Sequence, residues 1–239
     1  MNNSVVVYTS VCEDDRRWVP QYLAEMERLG TPFIVNFDRC GDSTKRQMLK
    51  NWCCVGSTSQ DDWSIEFEEG AKQPLLNMAV KLGYTWGMPL DIDETLEKSA
   101  PDKLPTILAS QADFMSCIWV NLWNDPQHVR VDGGFFRAKR EKFYRLGSHV
   151  WRYTTAVVNG PKAMCRKTGR ILEPGEASHV QTDLVCLHWG LMTEELRREH
   201  KARWDRIYTA AVGGNPYGFW DWCLDSANHP ATVERNPYL

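Results

Sequence analysis

GYTWGMPLDIDETLEK, residues 83–98, is the stretch on which the fold turns. A glycine able to stop a helix is followed by an aromatic and apolar run, then by two aspartates one residue apart, then by a charged segment. Upstream of it, Leu75, Leu76, Ala79 and Leu82 form a helical stripe over residues 71–82 that Gly83 terminates. Helix, glycine stop, short strand and acidic strand exit is the sequence of an α/β unit, and in open α/β sheets ligands collect at the carboxyl ends of the strands. Asp91 and Asp93 admit two readings. Ahead of ETLEK, Asp93 is a respectable helix N-cap and the acids of the next turn would complement the helix dipole. On an extended segment, residues i and i+2 project to one side, so the two carboxylates can converge on one hard divalent cation with phosphate oxygens completing its shell.

Working outward, SVVVYTSV at residues 4–11 is a β-branched strand ending in the polar CEDD, and Val19, Tyr22, Leu23, Met26 and Leu29 recur at helical spacing with Pro20 in the first turn and Gly30 as the stop. PFIVNF predicts a second strand and NWCCVGS a third, while TSQDDWSIEFEEG shows no period and reads as a loop. In the second half FMSCIWVNLW, RVDGGFFR, TTAVVNG and DLVCLHW predict strands. A long helix follows from Thr193, with Leu196, His200, Trp204, Ile207, Tyr208 and Ala211 on one side and Gly213-Gly214 at its end. The fold class expected is α/β: one domain with a mixed, mostly parallel sheet flanked by helices.

Composition bounds the function. The chain has 239 residues, 43% of them hydrophobic and 25% charged, which fits one globular core and excludes disordered or collagen-like classes. A net charge of -3 gives no overall field for nucleic acid or acidic membranes. Eight cysteines without a CxxC pair predict reduced structural thiols rather than a zinc ribbon. No basic leader and no membrane-length apolar window are present, so the expectation is a cytoplasmic, intracellular protein without a membrane span.

SVVVYTSVCEDDRRWVPQYLAEMERLG, FIVNFD and GMPLDIDE, in this order and followed by DLVCLHWG, resemble glycosyltransferases of the GT-A fold, family 2-like members above all. The likeness covers roughly residues 4–210 and implies a Rossmann-related domain whose residues 1–98 form the nucleotide-sugar half and 99–239 the acceptor half. It implies a DxD motif holding Mn²⁺ or Mg²⁺ with a nucleotide-sugar donor. Asp93 would then be a direct metal ligand, Asp91 a contact to metal-bound water or sugar and ribose hydroxyls, and His188 the late histidine that completes the metal site. Asp38 falls where such enzymes read the nucleobase or ribose, with Thr9 and Ser10 beside it.

The acceptor must be a hydroxyl, and an inverting transfer needs a carboxylate base facing the donor. Asp132 is the first candidate, because Gly133 and Gly134 after it would let the backbone approach the sugar, although Asp-Gly is equally a hairpin signal. Asp183 is the second. No ED pair precedes a helix in the second half, which leaves the stereochemistry open. RAKREKFYRLGSHVWRY and RREHKARWDR, basic and interleaved with aromatics, read either as solvated helix faces or as surfaces for a phosphate backbone with stacked bases. The second reading would suit DNA carrying a hydroxymethylated base, as phage-encoded enzymes modify in a bacterial host, with the aromatic stretch NPYGFWDWCLD lining the site; a glycan is the other acceptor class. Two further functions compete: a nucleotidyltransferase, which lacks its usual glycine-rich loop here, and a non-catalytic sugar- or nucleic-acid-binding protein on the same fold.

Overall fold

The computed structural model describes residues 4–60, 67–132, 137–153, 161–164, 170–173, 175–212, 224 and 231–239. Strand β1 (Val5–Cys12) is buried along its length and enters a short 3-10 turn at Glu13–Trp18 before helix α1 (Val19–Leu29). Helix α1 stops at Gly30, whose φ of 60° is the left-handed conformation a side chain would oppose. Then come β2 (Phe33–Asp38), α2 (Asp42–Leu49), β3 (Cys54–Gln60), α3 (Phe67–Lys81) and β4 (Trp86–Pro89). The sequence reading left α2 unassigned, and the segment it took as a loop belongs at its start to β3 and at its end to α3.

The second half continues with β5 (Glu94–Leu96), α4 (Ala100–Leu108), β6 (Phe114–Trp123), β7 (Asp125–Arg130), β8 (Arg137–Arg145), β9 (Val150–Arg152), β10 (Lys162–Met164), β11 (His179–His188), α5 (Glu194–Val212) and β12 (Val233–Arg235). Residues 133–136, the TTAVVNG segment, Gly213-Gly214 and, apart from Leu224, the NPYGFWDWCLD stretch lie outside the described residues. The basic run 137–145 is a strand, not a solvated helix face: it pairs antiparallel with β6 and buries Lys142, Phe143 and Tyr144.

Among the described residues a ten-stranded sheet runs in the order β12-β7-β6-β8-β4-β1-β2-β3, with β11 beside β6 and β5 beside β11. Strands β1, β2, β3, β4, β6, β11 and β12 point one way, and β5, β7 and β8 the other, which is the mixed, mostly parallel α/β sheet expected. From β1 the chain first moves outward to β2 and β3, then returns to place β4 on the other side of β1. In open α/β sheets such a reversal is where a ligand crevice forms, here at the carboxyl ends of β1 and β4, after which Asp91 and Asp93 follow.

Two apolar layers cover the sheet. On one face Val7, Phe33, Val35, Trp86, Met88, Met115 and Phe143 pack with Tyr22 and Met26 of α1 and Leu104 of α4; on the other Tyr8, Ile34 and Tyr144 pack with Leu75, Leu76 and Ala79 of α3. Cys12, Cys40, Cys53, Cys117 and Cys186 are buried free thiols, as the reduced-cysteine reading expects; Cys165 and Cys223 lie outside the described residues.

A polar clamp ties α1 to the segment carrying the aspartates. Glu25, 6% exposed, takes both Arg28 nitrogens at 2.8 Å and the Leu96 N–H at 2.8 Å, while Arg28 donates to the Leu96, Glu97 and Lys98 carbonyls. Glu25→Ala is therefore expected to cost about 2 kcal/mol in urea unfolding, because it strands a buried N–H and frees Arg28. A loss below about 0.5 kcal/mol would show that the clamp does not hold β5.

Candidate active site

The chain leaves β4 at Pro89 and turns sharply: the Glu94 N–H donates to the Asp91 carbonyl at 2.9 Å, closing a turn over Asp91–Glu94. The two aspartates therefore stand on a turn rather than on an extended strand, and Asp93 caps no helix. ETL is strand β5, paired antiparallel with Cys186–His188 of β11, and the helix begins later, at Ala100. This pairing sets His188 opposite Glu94 and brings the end of β11 against the turn.

Asp93 and His188 meet there. Asp93 Oδ2 lies 3.2 Å from His188 Nε2, and both side chains are nearly buried. The other ring nitrogen, Nδ1, is 2.6 Å from Asn121 Oδ1 on β6. An amide oxygen only accepts, so Nδ1 carries the proton and Nε2 is left to present a lone pair to the Asp93 carboxylate. Two acceptors facing each other at this distance call for a positive charge between them, a proton or a metal ion. Burial opposes a charged imidazole, yet Asp93 outweighs it and raises the His188 pKa; likewise burial works against the Asp93 carboxylate but His188 and His200 hold its pKa well below the usual range. Trp119 stacks on His188 with ring centres 4.8 Å apart and fixes the ring plane.

His200, from α5, reaches the same carboxylate, its Nε2 3.7 Å from Asp93 Oδ2. Gly190, lacking a side chain, lets the three groups lie close against the backbone. A Cβ built there would lie 2.2 Å from Asp93 Oδ2 and 2.9 Å from both His188 Nε2 and His200 Nε2, so the Gly190 backbone lies against all three atoms and leaves no room for a side chain. One carboxylate and imidazole nitrogens are a donor set that a divalent transition ion accepts. Among the described residues no group of three or more His, Cys, Asp or Glu is already drawn in to coordinating geometry.

Asp91 turns to the other side. Its Oδ1 receives a hydrogen bond from Lys72 Nζ of α3 at 3.0 Å, and the carboxylate is half exposed where Lys72 is nearly buried. Surrounding protein raises its pKa, but Lys72 and then Lys142 more than reverse this and hold it low. Behind the turn, Glu94 is buried and accepts from Lys142 Nζ, from Trp119 Nε1 at 2.7 Å and from the Asp91 N–H at 2.8 Å. Glu94 and Lys142 thus lock the turn that carries both aspartates.

The other predicted residues are placed as follows. Thr9 and Ser10 lie in the carboxyl-terminal half of β1, where Ser10 Oγ accepts from Asn36 Nδ2 and Thr58 Oγ1 donates to Asn36 Oδ1, a polar row across three parallel strands. Asp38 ends β2 in register with Cys12, and Arg39 holds both its oxygens at 2.8 Å. Asp132 follows β7; Arg130 grips both its oxygens, at 2.8 and 2.9 Å, and the Thr232 N–H adds a third bond. Arg130, ahead of the opposing effect of burial, keeps the Asp132 pKa low. Asp183 sits mid-strand on β11, highly exposed and 3.1 Å from Lys103, about 15 Å along the strand from His188. Gly133 and Gly134 lie outside the described residues. The structure so gathers Asp91, Asp93 and His188, and adds Lys72, Glu94, Lys142, Asn121 and His200. His200 was visible in the sequence only as one member of a helical stripe.

Helix α5 closes over this end of the sheet. Arg203 Nη1 bonds Asp15 Oδ1 at 2.9 Å, Arg17 pairs with Glu199 at 2.8 Å, and Arg197 donates to the Leu191 carbonyl at 2.9 Å while lying 3.9 Å over the Trp123 ring. These contacts connect the turn after β1, the end of β6 and the Gly190 loop through one helix. Among the described residues no helix is long and apolar enough to cross a membrane.

No protein-family model matches the chain, and a search of the curated proteins finds no match either. Solved structures of similar fold include TarS residues 1–349 of S. aureus in complex with UDP, at 12% identity and a TM-score of 0.48, the alignment covering 93% of this chain and 70% of that one. They also include the mannosyltransferase PcManGT from Pyrobaculum calidifontis in complex with GDP-Man and Mn2+, at 11% identity and a TM-score of 0.48, covering 94% of this chain and 72% of that one.

Proposed function

We propose that the chain is a metal-dependent glycosyltransferase that moves a sugar from a nucleotide-diphosphate donor to a hydroxyl acceptor. The observation that carries this reading is the meeting of Asp93 and His188 beside Asp91 and Lys72 in the crevice where the sheet reverses direction. A Mn²⁺ or Mg²⁺ ion held by Asp93 and His188 would neutralise the charge that develops on the leaving diphosphate. The chain's own groups do the rest. Lys72 and Lys142 keep Asp91 ionised, ready to accept hydrogen bonds from the hydroxyls of ribose or sugar. Ser10, Asn36 and Asp38 line the strand ends on which the nucleoside would rest.

On the acceptor side we propose Asp132 ahead of Asp183 as the base, since it follows β7 on the mixed half of the sheet, whereas Asp183 is paired with Lys103 mid-strand on β11. The division into a donor half and an acceptor half belongs to this reading. A DNA acceptor loses one of its supports: Lys142 of the first basic run is buried within the sheet and unable to reach a phosphate backbone. The test is a donor screen. With Mn²⁺ present and no acceptor, slow release of nucleoside diphosphate is expected from one member of a panel of UDP- and GDP-sugars that includes UDP-GlcNAc and GDP-mannose. Neither release nor calorimetric binding across the panel would remove the transferase reading in favour of a non-catalytic binding protein.

A further inference from the structure

We infer that His200 of α5 is a third protein ligand of the metal, giving a site of one carboxylate and two imidazoles that selects Mn²⁺ over Mg²⁺. The inference rests on the metal reading of Asp93 and His188 and deepens it. Three side chains from separate parts of the chain, the turn after β4, the end of β11 and the second turn of α5, bring their outermost donor atoms together, with both histidine Nε2 atoms beside the same Asp93 Oδ2. Ligand atoms at right angles on an ion stand about 3 Å apart. The Asp93 to His188 separation of 3.2 Å already meets this, and the Asp93 to His200 separation of 3.7 Å closes with a shift of about 0.5 Å.

The helix is anchored so that His200 faces the site. One turn earlier Arg197 is fixed to the Leu191 and Met192 carbonyls, and three residues later Arg203 is fixed to Asp15, so the ring between them has little freedom to leave. The rings of His188 and His200 stand nearly perpendicular, 80° apart with centres 6.1 Å apart. Gly190 leaves these atoms undisturbed: any side chain at 190 would collide with all three. Chemistry then decides the ion. Mg²⁺ favours oxygen donors and gives up water reluctantly, whereas imidazole suits the transition ions.

Mn²⁺ alone, and Mn²⁺ with UDP or GDP, is titrated into the full chain and followed by the electron paramagnetic resonance of the free ion, with Co²⁺ absorption as a second readout of coordination. Wild type, His200→Ala, His200→Gln, Asp93→Ala and Lys201→Ala are compared, with circular dichroism confirming that each is folded. The expected result is Mn²⁺ binding at least ~10-fold weaker in both His200 variants, a changed Co²⁺ spectrum, a reduced preference for Mn²⁺ over Mg²⁺, loss in Asp93→Ala and no change in Lys201→Ala. Unchanged Mn²⁺ affinity in both His200 variants with loss in Asp93→Ala would overturn the role of His200 and leave the metal reading intact. Absence of Mn²⁺ binding to wild type, with or without either nucleotide, would overturn both.

Discussion

Gly190→Ala is expected to abolish Mn²⁺-dependent nucleotide binding, by at least ~100-fold, while leaving a folded protein. The added methyl would lie 2.2 Å from Asp93 Oδ2 and 2.9 Å from each histidine Nε2, closer than real contacts allow. All three atoms are at the far ends of side chains, so they can swing aside at small cost to the fold, about 1–3 kcal/mol on the scale of tight overpacking. What they cannot do afterwards is converge, because the methyl holds all three out of their present positions. A substitution that is mild for folding is in this way severe for the site. Calorimetric titration with Mn²⁺ and UDP or GDP, alongside urea unfolding, separates the two effects. Nucleotide binding that stays metal-dependent and of unchanged affinity in Gly190→Ala would show that the cation does not sit among Asp93, His188 and His200.

The elements that were legible in the sequence are those whose signal is local. VVVYTSVC, FIVNFD and FMSCIWVNLW announce strands by β-branched and aromatic content, and the stripe of α1 with its glycine stop announces a helix. What misled was always a long-range pairing. ETLEK has the composition of a helix start, yet Glu94, Thr95 and Leu96 are drawn into a strand by Cys186, Leu187 and His188, residues nearly a hundred positions away. The charged run 137–145 hides its strand character because Lys142, buried in a row with Phe143 and Tyr144, is as polar as the solvated part of the run; Glu94 on another element makes its burial tolerable. The site followed the same division. Asp91, Asp93 and His188 stood out by residue type at strand ends, but the atom that orients His188 belongs to Asn121, and the histidine facing Asp93 from α5 belongs to a helix whose docking on Asp15 no local pattern encodes.

Lys142→Ala is expected to cost about 3–5 kcal/mol of stability, the largest loss from any single substitution behind the site. Lys142 is 7% exposed and Glu94 2% exposed, and their ion pair joins β8 to the turn carrying Asp91 and Asp93. Removing the ammonium leaves a buried carboxylate that, among the described residues, has Trp119 Nε1 and the Asp91 N–H to answer it. The cost is that of stranding a charge, not the net worth of the pair, so Lys142→Met combined with Glu94→Gln should recover much of the loss. The pH dependence provides a check of sign. Burial works against the Lys142 ammonium, but Glu94 prevails and raises its pKa. Its contribution is therefore complete below the ordinary lysine range and is lost only as pH rises through the higher folded value. The difference between wild type and Lys142→Ala should accordingly stay constant from about pH 6 to pH 9. Urea unfolding at several pH values measures this directly. A loss under about 1 kcal/mol, or a double variant no better than the single one, would mean that the turn is held by packing of Trp119 and Leu96 rather than by the buried pair.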